Sequence, residues 1–178
     1  MSYFEELKKS MEFLGENKKV LFLGQAVSVP GTAMSNTLKD INPSQKVEMP
    51  VSEEMQMGIT NGLALNGLIP VSIFPRWNFL LLAINQLVNH LDKITEISSG
   101  GFTPKVIIRT GIGSERPLHP QCQHVGDFSE SVQGMCKNVE VIKLIEPQEI
   151  FPAYKKALER DDGKSSILVE YGDYYNEK

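Results

Sequence analysis

The chain is expected to be an α/β domain, a mostly parallel sheet with helices on both faces. Three observations carry this. Short β-branched, apolar segments recur along the chain, and helical segments with apolar residues every third or fourth position separate them. That alternation is what parallel strands require, because each needs a long crossover before the next can run the same way. The third observation is size: 178 residues with 41% hydrophobic content suffice for one buried core without metal or disulfide support, so residues 1–178 are expected to form a single domain. In such sheets ligands bind outside the carboxyl ends of the strands.

Taken in order, an amphipathic helix is expected near Tyr3–Leu14, then an apolar strand at Lys19–Gly24. A helix around Met34–Ile41 leads to a short strand at Lys46–Met49. A helix from Glu53 to Asn66 follows, opened by Ser52 as N-cap and closed by Gly67, with Glu53 and Glu54 in the first turn where exposed amides favour negative charge. Gly58 and Gly62 lie one turn apart on it, each costing about 1 kcal/mol relative to alanine, so close approach of another helix is expected there. After a strand at Pro70–Phe74, the helix Asn78–Thr95 is apolar on nearly every face of its first two turns, and an outer helix of that kind needs a partner subunit to cover it. Strands at Val106–Thr110 and Val139–Ile145, a helix at Gln148–Arg160 and a strand at Ser166–Tyr171 complete the series. The longest segment without periodicity runs from Gly111 to Phe128 and holds His119 and His124. Loops beyond about 12–15 residues in a compact domain are usually functional or disordered.

The formal charge is −4, from 22 acidic and 18 basic residues with no basic stripe, so nucleic acid and anionic membranes are poor partners. No run reaches the roughly 18 apolar residues that span a bilayer, and the N-terminus lacks an apolar signal core, so a cytoplasmic protein is expected. Cys122 and Cys136 are too few for a disulfide framework. With His119 and His124 they make four potential zinc ligands, but the spacing fits no common structural site, and no metal site is expected in this chain.

The most informative stretch is Pro50-Val-Ser-Glu-Glu-Met-Gln-Met-Gly-Ile-Thr-Asn-Gly-Leu-Ala-Leu-Asn-Gly-Leu-Ile-Pro-Val71. Two carboxylates in a helical first turn are ordinarily solvated dipole partners. Here the glutamate is followed by Gly62 and Gly67, a spacing that resembles the signature of the pyrimidine-binding domain of transketolase-type thiamine diphosphate enzymes, nearest to the beta subunit of the 2-oxoacid dehydrogenase decarboxylating component. Other segments match in the same order. Phe74-Pro-Arg-Trp-Asn-Phe79 resembles that family's strand-end loop, Ala83-Ile-Asn-Gln-Leu-Val-Asn89 its interface helix, Ser99-Gly-Gly101 the turn before its next strand, and Gln123-His124 a Gln-His pair in its active-site loop.

The resemblance implies a thiamine diphosphate-binding fold of the pyrimidine-domain type. Counting back from Gly62 identifies Glu53 as the group that hydrogen-bonds the cofactor's aminopyrimidine ring, a contact that leads to loss of the thiazolium C2 proton, whereas the carbon chemistry belongs to the cofactor. Glu54 is left at the surface. Phe79 is implied to stack on the pyrimidine, and Gln25 and Pro75 to line the cofactor site. His124 is implied as a catalytic and substrate-side histidine, with Arg76 and His119 as substrate-binding residues. Gly24-Gln-Ala-Val27 stands where the family has Gly-Glu-Asp-Val, a loss of acidic groups that sets this chain's substrate and reaction apart from those of the parent enzymes, and Pro75-Arg-Trp77 is bulkier than its counterpart, which points to a pocket reshaped for an anionic or larger substrate.

The family's metal and diphosphate half, marked by Gly-Asp-Gly, has no match here, since Gly126-Asp127 and Gly172-Asp173 are followed by Phe128 and Tyr174. The expectation is therefore the pyrimidine-binding subunit of a split enzyme that acts on a 2-oxo acid or ketose by decarboxylation or two-carbon transfer. Mg2+ would be held by a partner subunit, and a heterotetramer with two of each half is the implied assembly. The alternatives are a sulfopyruvate-decarboxylase-like small subunit and a non-catalytic assembly or regulatory subunit. Retention of both Glu53 and Phe79 argues against the last.

Overall fold

The computed structural model describes residues 1–29, 32–116 and 119–177. Its strands are β1 (Val20–Gly24), β2 (Lys46–Glu48), β3 (Ile69–Ile73), β4 (Ile107–Ile112), β5 (Val139–Lys143) and β6 (Ser165–Tyr171). They form one sheet in the order β2-β1-β3-β4-β6-β5, and every neighbouring pair is parallel. The expected α/β class holds, with a sheet parallel throughout. Central strands are buried on both faces, as Ile107 to Gly111 of β4 and Ser165 to Glu170 of β6 show, which explains their continuous apolar runs.

Helices cover both faces. On one lie α1 (Tyr3–Gly15), the single turn α2 (Ala33–Asn36), α7 (Pro147–Glu159) and α8 (Tyr174–Glu177), which bury Tyr3, Leu7, Met11, Met34 and Tyr154. Ser2 and Glu5 form a reciprocal cap that starts α1, and Pro147 opens α7 where a missing N–H costs nothing. On the other face lie α3 (Glu53–Leu65), a helical run opened by α4 (Trp77–Leu80) and closed by α5 (Ile94–Ile97), and α6 (Ser129–Met135). Met57, Trp77, Leu80, Leu87 and Val132 fill this second core. From β1 the chain steps outward to β2 on one side, while β3 takes the place on the other. The crevice at the carboxyl ends of β1 and β3 is thus a topological switch point, where α/β sheets hold ligands.

Five local expectations are corrected. The helix around Met34–Ile41 is only the turn Ala33–Asn36, because the Thr37 hydroxyl donates back to the Met34 carbonyl at 2.6 Å and gives the backbone an alternative to continuing. The helix Asn78–Thr95 is not uniform: α4 passes into a tight 3-10 turn at Leu81–Ala83, then into a wide π segment at Gln86–Leu91. Its apolar residues are also not exposed all round. Leu80, Ala83, Leu87 and Leu91 are buried within this chain, and Leu82 is the large side chain left exposed. The exposed apolar strip lies instead on α3, at Met55, Ile59 and Leu65. Gly58 meets Gln86 of the π segment at ordinary contact distance, whereas Gly62 faces open space, so the expected close helix approach occurs at neither glycine within this chain. Finally, Ser52 stands at the N-cap position but its side chain makes no capping bond.

Candidate active site

Glu53 is the first residue of α3 and is 6% exposed. Three buried bonds pin α3 to β3: Gln56 Nε2 donates to Ser72 Oγ and to the Ile73 carbonyl, both at 3.0 Å, and Thr60 Oγ1 bonds Ser72 Oγ at 3.0 Å. Buried polar contacts of this kind fix orientation, because any slip leaves them unsatisfied. Glu53 is therefore held at the carboxyl edge beside β1, where Gln25 Nε2 donates to its Oε1 at 3.2 Å. Among the described residues this is its one side-chain hydrogen bond. Glu54 is exposed, as its surface assignment requires.

The turn that carries Gln25 is sharply specified. A Cβ on Gly24 would lie 2.5 Å from the Ile73 carbonyl oxygen, so only glycine lets β1 end so close to β3. Ala26 adopts a left-handed conformation, φ 54°, which costs a residue with a side chain about 1–2 kcal/mol.

From the end of β3, Pro75 and Arg76 are half-buried at the same edge. Arg76 Nη1 donates to the His124 carbonyl at 3.0 Å, and the half-buried Phe79 ring lies 5.3 Å from the His124 ring at 38°. His124 Nδ1 is buried and has no hydrogen-bond partner among the described residues. The structure thus joins the sequence-identified residues into two contacts, Gln25 with Glu53 and Arg76 with His124 and Phe79. His119 joins neither: its ring is exposed, its Nδ1 accepts from the Gln121 amide at 2.9 Å, and its Nε2 faces Glu115 at 3.9 Å. Trp77 does not shape a pocket either, because it is fully buried in the second core. Beside Arg76 a cavity of about 370 Å³ opens between the ends of β3, β4 and β6, lined among others by Pro75, Arg76, Ser114 and Arg116.

Two features escaped the sequence reading. One is a buried ion pair: Arg109 Nε and Nη2 donate to the two oxygens of Glu170 at 2.7 and 3.0 Å, and Nη1 donates to Thr37 Oγ1 at 3.1 Å. The hydroxyls of Tyr154 and Tyr175 also donate to Glu170. Burial works against the Arg109 charge, but the Glu170 carboxylate outweighs it and holds the guanidinium well above its usual pKa. Burial and the same carboxylate push the Tyr154 and Tyr175 phenols well up. A charged residue inside each of two apolar strands was the available signal. The other feature is Glu48, whose carboxylate accepts from the amides of Ala26, Val27 and Ser28 at 2.6, 2.9 and 2.7 Å.

Known proteins resemble this chain in the same terms. The family profile described as transketolase, pyrimidine binding domain, matches residues 6–176. A pyruvate dehydrogenase E1 component subunit beta from Cyanidium caldarium is 30% identical over 142 residues, covering 76% of this chain and 43% of that protein. The 2-oxoisovalerate dehydrogenase subunit beta of Bacillus subtilis (strain 168) is 24% identical over 168 residues, covering 91% of this chain and 50% of that protein. The chain spans about half, or less, of the length of these curated relatives. Among solved structures, one titled split gene transketolase, inactive beta4 tetramer, superposes with a TM-score of 0.73 at 18% identity, over 97% of this chain and 52% of that one. That likeness is one of fold. With the profile spanning nearly every residue, the chain belongs to the transketolase pyrimidine-binding-domain family.

Proposed function

We propose that this chain is the pyrimidine-binding half of a thiamine diphosphate enzyme acting on a 2-oxo acid or a ketose, completed by a partner that holds the diphosphate and Mg2+. The observation that carries it is Glu53, a carboxylate buried at the switch point with one oxygen held by Gln25 and, among the described residues, no hydrogen bond on the other. A flat heterocycle with a ring nitrogen fits that arrangement, since it can engage the unoccupied oxygen while lying along an aromatic face. Phe79 supplies such a face, and offset stacking contributes about 0.5–1.5 kcal/mol beyond burial. Pro75 adds a rigid apolar edge.

When bound, the cofactor supplies a carbon nucleophile that attacks a carbonyl; the chain supplies position and proton control. Glu53 would hold the ring nitrogen and the proton shared with it. Arg76, fixed by the His124 carbonyl, presents its remaining N–H groups to an anionic group of the substrate. His124, with its buried Nδ1 lacking a partner, is the proton-transfer candidate on the substrate side. His119 belongs to the same loop at greater remove. A fold neighbour is titled a split gene transketolase, which is in keeping with a division between chains, and a heterotetramer with two of each half is the proposed assembly. Among the described residues no helix is long and apolar enough to cross a membrane; a cytoplasmic site of action is part of the proposal.

Calorimetric titration tests this reading. The chain with thiamine diphosphate and Mg2+ is expected to show little heat until a diphosphate-binding partner is added. Submicromolar binding by the chain alone would overturn the division of the site.

A further inference from the structure

The turn that presents Gln25 has no carboxylate of its own and takes one from another strand. Glu48, the last residue of β2, lies opposite Gly24 in the sheet register. Its carboxylate gathers three successive amides, Ala26 on Oε1 at 2.6 Å and Val27 and Ser28 on Oε2 at 2.9 and 2.7 Å. Three convergent N–H groups around an anion form a strong, directional cradle. They also hold Ala26 in the left-handed conformation, φ 54°, that an alanine would otherwise leave. Gln25 sits between this cradle and Gly24, whose carbonyl accepts from the Met49 amide at 2.9 Å. The turn is thereby held on both sides of Gln25, and its side chain is delivered to Glu53 Oε1 at 3.2 Å.

We propose that Glu48 is a positioning residue for Glu53, acting through the turn that carries Gln25. Glu48 leaves the cofactor to Glu53 and fixes Glu53 Oε1 in the bond from Gln25, while Oε2 has no hydrogen bond among the described residues. The chain of contact runs from the Glu48 carboxylate through the amides of Ala26 to Ser28 to the Gln25 side chain and then to Glu53. Its catalytic meaning rests on the proposed role of Glu53, but its physical content does not.

NMR on the full chain without cofactor tests it. The Gln25 side-chain amide signals are identified by their loss in Gln25→Ala. In the unaltered background, Glu53→Gln is expected to shift those signals, because the partner of the hydrogen bond has changed. In a Glu48→Ala background the same Glu53→Gln change is expected to leave them unmoved, and amide exchange at Ala26, Val27 and Ser28 to speed up by about tenfold or more. Glu48→Gln, which keeps an acceptor oxygen but loses the charge, is expected to fall between and serves where the alanine variant folds poorly. If Gln25 still responds to Glu53→Gln as strongly with Glu48 replaced, Glu48 only stabilises the turn and the proposal is overturned. Because no cofactor is present, failure of the cofactor assignment would leave this result intact, and the two ideas fail separately.

Discussion

Arg109 and Glu170 bring opposite charges together with neither side chain exposed, and what happens when one is removed follows from that burial. An unpaired buried charge is far more costly than a lost surface pair, so Arg109→Met is expected to reduce stability by about 3–5 kcal/mol in urea unfolding. Replacing both charges, Arg109→Met with Glu170→Gln, is expected to recover part of the loss. A double variant as unstable as the single one would show that the cost lies in packing. These two charges were visible in the sequence, since each stands alone within an apolar strand, but strand order was needed to show them as neighbours. A glycine spacing singled out Glu53 from its neighbour, and the structure buries Glu53 while leaving Glu54 exposed. A long loop without periodicity does not reveal which of its histidines turns inward, and the structure turns His124 inward while His119 stays exposed. Glu48 left no mark, because backbone amides that converge on a carboxylate have no residue signature.

The run between α4 and α5 departs most from what periodicity foretold. Apolar repeats gave the helical region and its inward residues, Leu80, Leu87 and Leu91, but hydrogen-bond pitch is set by neighbours. Asp92, at the end of the π segment, is fully buried, and its Oδ1 accepts from the amides of Lys137 and Asn138 at 2.8 and 2.6 Å while Lys93 Nζ meets Oδ2 at 2.8 Å. Burial pushes its carboxyl up, yet Lys93 and the two amides outweigh that and leave it below the usual aspartate pKa. A depressed carboxylate pKa contributes stability above the unfolded value of about 4 and loses it as pH falls through the folded value. Asp92→Asn is accordingly expected to cost about 1–3 kcal/mol at neutral pH and to flatten the acid limb of the stability curve. An unchanged acid limb would assign that limb to other groups.

On α3, Met55, Ile59 and Leu65 are exposed by 42%, 41% and 37%, apolar side chains spread along the helix that the proposed partner would cover. Ile59→Glu is expected to leave folding intact, improve the solubility of the isolated chain and weaken partner association by tenfold or more, about 1.4 kcal/mol. Sedimentation of mixtures would detect it, and undiminished association would place the interface elsewhere.

For the whole molecule, the fold was legible almost throughout, because a parallel sheet forces strands and helices to alternate and every strand was found within a few residues of its place. The proposed cofactor site is less legible, since its diphosphate half would lie on a partner's surface. Deuterium exchange at C2 of thiamine diphosphate tests whether Glu53 completes that site. Exchange is expected to be slow with this chain or the partner alone and fast with both, and Glu53→Gln in the mixture is expected to slow it by about 10²–10⁴-fold while Glu54→Gln changes little. Near-equal, fast exchange in the two variants would contradict the account and return Glu53 to an ordinary helix-end carboxylate.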